Sequence, residues 1–213
     1  IRMPLDQGRT SGQQADSVAK SMENLNRAVA SLGLASTDIL KTTCFVNSWE
    51  ATQAERQAHP MAGAALAVQM QREYSTVVAE CEAVARLKSA PAQPVELRNP
   101  DGMAASPNYS QIALVNSPRI LFTGLQLAFH AEEADAKLAF ERLGRTLDAQ
   151  KAGYGSVFFT HTYALNRKAV DMVRAIRFGF LDKSKPPAST LLMFEGLPSL
   201  DASFGMEVVA VAP

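Results

Sequence analysis

The 213 residues are 47% hydrophobic and 20% charged, enough for one large domain or two of about 100 residues each, and too apolar for a disordered chain. Twenty-one basic residues balance 21 acidic ones, and the balance holds on both sides of residue 90, so charge gives no support to a nucleic-acid partner. No apolar run reaches the ~18 residues of a membrane-spanning helix.

Residue 1 is Ile and no basic-then-apolar leader follows it, which reads as a start left by processing, truncation or unseen residues. From about Gln13 to Leu32, Val18, Met22, Leu25, Val29 and Leu32 recur every three or four residues and predict an amphipathic helix. Gly33 supplies a left-handed stop. The β-branched and aromatic run Ile39–Val46 predicts a strand, and Glu50–Gln57 a short helix ending before Pro60. "AALAVQMQ" and "YSTVVAECEAVARL" predict two more strands. With Cys44 and Cys81 as the only cysteines, a disulfide framework is not expected. Two buried, reduced thiols fit a cytoplasmic address instead.

Residues 91–105 are Pro-rich and without periodicity, which marks a linker between a first unit, 1–90, and a second, 106–213. Gln111–Val115 and Arg119–Thr123 predict strands that pair within the second unit's sheet. A helix over 131–150 follows, with Leu138, Phe140, Leu143 and Leu147. "SVFFTHTYAL" reads as a strand, Val170–Leu181 as a helix, and "STLLMFEGL" and "ASFGMEVVAVA" as closing strands. The order helix, strand, helix, strand, strand thus occurs twice, with "ECEAVA" opposite "GMEVVA" and Glu82 opposite Glu207. The first unit lacks counterparts of the two strands that open the second. Such a gap leaves sheet edges unpaired, so roughly 30 further upstream residues, or another chain, are expected to supply them.

Tyr109-Ser110-Gln111 followed by Thr123-Gly124-Leu125-Gln126 is similar to the Pro-Tyr-Ser-Gln opening and Ser-Gly-Gln of the YjgF/RidA family, also labelled L-PSP endoribonucleases or imine/enamine deaminases. Met3-Pro4-Leu5-Asp6, Glu23-Asn24-Leu25, "TDILKTTCFV" and "PPASTLLMFEGLP" resemble further family segments in order and spacing. The resemblance implies an α+β, chorismate-mutase-like fold in each of two tandem repeats, with helices on one face of a mixed sheet. It also implies trimer-like homo-oligomers with ligand clefts between subunits. The implied reaction is hydrolysis of a reactive imine or enamine, often one derived from serine or threonine by dehydration, to a 2-keto acid and ammonia, without metal or organic cofactor.

The resemblance implies Glu207 and Glu82 as acid–base groups. Both lie between apolar residues, an environment suited to proton transfer, although an ordinary carboxylate on the open face of a strand has the same pattern. Tyr109 and Gly124 are candidate cleft residues, or a packing residue and a strand end. The family's carboxylate-gripping Arg, in Pro-Ala-Arg, is replaced by Ser189 after Pro187-Ala188, and by Gly63 or Ala62 in the first unit. A hydroxyl cannot reproduce a bidentate guanidinium clamp. Hydrogen bonds to charged groups contribute about 1.5–3 kcal/mol, so its loss weakens carboxylate binding roughly ten- to more than a hundredfold. Ser189 would then bind a neutral ligand, or Arg174 or Arg177, otherwise exposed on their helix, would supply the cation. His59, His130 and His161 are too scattered for a zinc site. Three functions stay open: a divergent imine/enamine hydrolase, a small-molecule-binding or scaffold protein, and, least favoured by the charge balance, an endoribonuclease.

Overall fold

A computed structural model describes residues 17–72, 78–103 and 105–213. They form two compact units, one of residues up to 89 with 99–104, the other of 90–98 with 105–213. The Met3-Pro4-Leu5-Asp6 segment, the start of the predicted helix at Gln13 and the question of missing opening strands lie outside the described residues.

The first unit contains α1 (Ser17–Ser31), β1 (Ile39–Val46), α2 (Gln53–Ala58), β2 (Ala64–Gln69) and β3 (Ala79–Ala85). Val18, Met22 and Leu25 pack on Cys44, Val46, Ala79 and Cys81, and each large side chain so buried stabilises the fold by about 1.5–3 kcal/mol. The opposite face of α1 is polar, with Glu23 bridging Lys20 and Arg27. Gly33, at φ +68°, ends the helix. Its N–H donates to the Ala30 carbonyl and that of Leu34 to the Val29 carbonyl, a Schellman closure that favours glycine. The second long helix ends the same way with Lys151 at φ 58°, a position that sequence did not single out.

Strand order is β2-β1-β3, with β1 parallel to β2 and antiparallel to β3. Cys44 and Cys81 are direct partners in this register, and they form a disulfide. The expectation of two free thiols is therefore corrected: each cysteine is unremarkable in the sequence, but strand pairing brings their Cα atoms to 4.1 Å on the helix-covered face.

The second unit contains β4 (Val95–Arg98), β5 (Ile112–Val115), β6 (Ile120–Phe122), β7 (Gln126–Phe129), α3 (Glu133–Ala149), β8 (Val157–Ala164), α4 (Arg167–Ile176), β9 (Ala188–Met193) and β10 (Ala202–Val211). Five strands form one sheet, β6-β10-β8-β9 with β7 also on β10. Two details depart from the sequence reading. The stretch read as an irregular linker contains β4, which pairs with β5 in a ladder of its own rather than leaving β5 to join β6. β7, not predicted, runs antiparallel along β10; four residues with a polar first position are too short to show alternation.

The core strands of the two units share one register. Lys41 opposes Ala64 as Phe159 opposes Ala188, and Thr43 opposes Glu82 as His161 opposes Glu207. Side chains alternate between faces. On β8, β9 and β10, the residues Thr160, Thr162, Leu191, Phe204, Met206 and Val208 stand together on one face and are all buried. This is the face that corresponds to the α1-covered face of the first unit. His161, Tyr163, Thr190 and Glu207 stand on the opposite face.

Candidate functional site

Glu207 lies in the middle of β10, directly opposite His161 on β8. Tyr163 is two residues along β8 and so on the same face, where its diagonal reach crosses to Glu207. Its hydroxyl donates to Glu207 Oε1 at 3.0 Å and lies 3.2 Å from His161 Nδ1. The imidazole stacks on the phenol ring, with centroids 4.4 Å apart, and its Nδ1 is 3.9 Å from the Glu207 carboxylate. Both contacts of the hydroxyl are satisfied when His161 carries its proton on Nδ1 and donates to the Tyr163 oxygen. The three side chains then form a chain from imidazole through phenol to carboxylate, and the carboxylate end is 37% exposed. Such a chain can take up or release a proton at Glu207 while keeping its orientation fixed. Phe194 packs at 5.2 Å from Tyr163, and Phe159 meets the His161 ring edge-on at 5.9 Å.

The wall beside Glu207 is built by the turn between β6 and β7. Phe122 opposes Val209 and Gln126 opposes Met206, so three residues, 123 to 125, face two, 207 and 208. This is a bulge, the irregularity by which sheets re-aim side chains next to sites. Thr123 clamps one end: its Oγ1 accepts from the Val208 N–H at 3.0 Å, and its own N–H donates to the Val208 carbonyl. At the other end Leu125 lies across Gly205, where a Cβ would meet its Cδ1 and Cγ at 2.9 Å. Gly205 is therefore the glycine that this wall needs. Gly124, singled out in the sequence, has open space around it and an unstrained backbone.

By register, Gly205 corresponds to Glu80 in the first unit, since Tyr163 opposes Gly205 as Phe45 opposes Glu80. Glu80 is 1% exposed, the most deeply buried carboxylate among the described residues, and sequence reasoning passed it over for Glu82. The signal was present: Glu80 and Glu82 alternate about Cys81 and therefore share a face. Glu82 is half-buried, opposite Thr43, on the face equivalent to that of its counterpart Glu207.

Ser189 does not join Glu207. It opposes Thr160 on β8, one position out of phase with the His161–Glu207 pair, so it points to the helix-covered face; it is 0% exposed and its Oγ has no hydrogen-bond partner among the described residues. The first-unit counterpart by register is Ala65 rather than Gly63 or Ala62. Gly63 itself has φ +69° and its Cβ position falls 2.5 Å from the Leu40 carbonyl carbon, so no side chain fits there. Tyr109 is buried at the start of β9: Ser110 bridges Ala188, and its hydroxyl donates to the Pro186 carbonyl at 2.7 Å. Arg177, expected to be exposed on its helix, is instead only 4% exposed in the turn that ends α4, with its guanidinium 5.2 Å from the Phe178 ring. Arg174 keeps an exposed flank beside Asp171. Among the described residues no cluster of three or more His, Cys, Asp or Glu side chains could hold a metal ion, and no helix is long and apolar enough to cross a membrane.

No protein-family model and no curated protein matches the sequence. Solved structures do. A Rid-family protein of unknown function from Yersinia pestis, YyfB, superposes with a TM-score of 0.51 at 20% identity, covering 56% of this chain and 99% of its own. A YjgF-family protein from Neisseria meningitidis (14% identity, 56% of this chain and 95% of its own, TM-score 0.40) and Escherichia coli TdcF, solved with bound serine (18%, 57% and 99%, 0.41), are also similar. A stretch of little more than half the chain thus accommodates a whole Rid protein, and the fold of this chain is that of the YjgF/Rid family.

Proposed function

We propose that the chain is a tandem YjgF/Rid protein, with repeats over 1–90 and 106–213, that hydrolyses a small reactive imine or enamine without metal or organic cofactor. The observation that carries this reading is the Tyr163 hydroxyl donating to the half-exposed Glu207 carboxylate, with His161 behind it. In this mechanism Glu207 activates water for attack on the imine carbon and returns the proton to the departing nitrogen. Tyr163 holds the carboxylate in place and His161 fixes the phenol. Leu125 and Gly124 form the wall that limits access of water, and Tyr109 belongs to the loop that runs beside the start of β9. Glu82 holds the matching position in the first repeat. The same reading includes assembly into a homo-oligomer with trimer-like interfaces.

Turnover is tested by generating 2-aminoacrylate, or a neutral imine, in situ and following loss of semicarbazide-trappable imine against appearance of carbonyl product. Glu207→Gln is expected to lose 10²–10⁴-fold in rate, the usual contribution of a positioned acid–base group. Undiminished activity in that variant removes Glu207 from the mechanism, and no acceleration of either substrate removes the hydrolase. Ser189, turned away from Glu207 where the family places a gripping Arg, favours a second reading: a small-molecule-binding or scaffold protein that keeps the fold without the chemistry. The endoribonuclease label gains nothing from this site, because β6 to β10 contain no Lys or Arg. The cytoplasmic setting expected from free thiols loses that support with the Cys44–Cys81 bond, since reducing compartments keep cysteines as thiols. Thiol titration of protein from reducing cells, unfolded under alkylating quench, decides between the two.

A further inference from the structure

The ligand chemistry of the second unit's site can be read from what its sheet carries and lacks. Glu207 is the only acidic residue in β6, β7, β8, β9 and β10, and none of these strands contains a Lys or Arg. The basic side chains fastened to this sheet's margins are engaged elsewhere: Arg142 donates to the Leu127 carbonyl and Arg119 to the Pro213 carbonyl. A carboxylate-bearing ligand placed at Glu207 would meet a like charge with no cation in the sheet to offset it.

Apart from Thr190, which opposes His161, the side chains around Glu207 on this face are apolar or aromatic. Phe194 and Phe159 flank the Tyr163–His161 stack. Phe122, opposite Val209 on the edge strand, is 74% exposed. At the position where the first unit buries Glu80, this unit has Gly205 with Leu125 laid over it, so a second carboxylate is replaced by a branched aliphatic side chain. One anion among aromatic rings is the recognition pattern for a cationic nitrogen carried on an apolar group: the carboxylate supplies a charge-assisted hydrogen bond, and ring faces attract cations.

We infer that the Glu207 site binds ligands with a protonated nitrogen attached to an aromatic or apolar group, and discriminates against ligands bearing a carboxylate. This rests on the reading of Glu207, Tyr163 and His161 as the functional site, but it concerns binding, and it is tested apart from turnover.

The test is calorimetric titration of the full chain with three probes of one shape: benzylamine as its ammonium ion, benzyl alcohol and benzoate. Benzylammonium is expected to bind at least tenfold more tightly than benzoate, with benzyl alcohol between them. In Glu207→Gln that preference is expected to fall to within about twofold, with an unchanged thermal midpoint showing that the variant is folded. Benzoate binding as tightly as benzylammonium overturns the inference. So does a preference that survives Glu207→Gln, or no measurable binding of benzylammonium at millimolar concentration. Benzylammonium selectivity without hydrolysis of any imine keeps the inference and removes the hydrolase. Turnover of 2-aminoacrylate without benzylammonium selectivity does the reverse.

Discussion

Gly205 and Leu125 form a pair whose coupling can be measured, and the sign of the effect reverses with the partner. A methyl group at 205 would sit 2.9 Å from Leu125 Cδ1 and Cγ and 3.0 Å from Cδ2, against the ~3.5–4.0 Å of relaxed carbon contacts. Leu125 must therefore retreat by roughly half an ångström to an ångström. Overpacking of this kind costs about 1–3 kcal/mol. Set against it is the gain of about 0.5–1 kcal/mol from replacing Gly by Ala within a strand whose φ any residue adopts. Gly205→Ala alone is thus expected to destabilise the second unit. In a Leu125→Ala background the obstacle is gone, and the same substitution is expected to be neutral or stabilising. The coupling in the double-mutant cycle is then about 2 kcal/mol. Trp49 is the only tryptophan and lies in the first unit, so its fluorescence does not follow the affected sheet. Native-state hydrogen exchange at the Val208 amide does, because that amide is bonded to Thr123 beside the pair. Additive substitutions, with Gly205→Ala costing the same in both backgrounds, would refute the packing argument and with it the account of how the wall beside Glu207 is set.

Three other outcomes follow from particular contacts. Removing the Cys44–Cys81 bond by the double substitution to Ala frees a loop of sequence separation 37, for which chain entropy gives a loss of about 4 kcal/mol; Trp49 fluorescence in denaturant titrations reads it in the right unit. Gly63→Ala incurs about 1–3 kcal/mol for the left-handed backbone in addition to the clash with Leu40, and lowers the thermal midpoint far more than Gly124→Ala, which is expected to leave it nearly unchanged. Burial raises the pKa of Tyr154 well above its ordinary value of 10.0, its hydroxyl donating to the Phe140 carbonyl at 2.5 Å. The folded state therefore favours the protonated phenol. Its contribution is complete below about pH 10, the titration range of a free tyrosine, and declines as pH rises further. Wild-type stability is expected to fall more steeply above pH 10 than that of Tyr154→Phe, as measured by denaturant midpoints at pH 9, 10 and 11.

Most of the regular elements follow from local physics that can be read along the chain. The apolar stripe of α1, the left-handed stop at Gly33 and the β-branched run of β1 each depend on residues within a few positions of one another. The repeat of helix, strand, helix, strand and strand is visible for the same reason, as is the pairing of Glu82 with Glu207 at equivalent places. What escaped is what depends on partners distant in sequence. The Cys44–Cys81 bond needs β1 and β3 in one register. β7 is recognisable only through its pairing with β10, and β4 only through its pairing with β5. The site itself divides along this line. Glu207 could be named from its strand, but Tyr163 and His161 became its partners only when β8 lay antiparallel to β10 in a register that opposes 161 to 207. Ser189 shows the converse. Its place in the chain suggested a cleft residue, yet strand alternation turns it to the helix-covered face, because in a sheet a shift of one residue exchanges one face for the other.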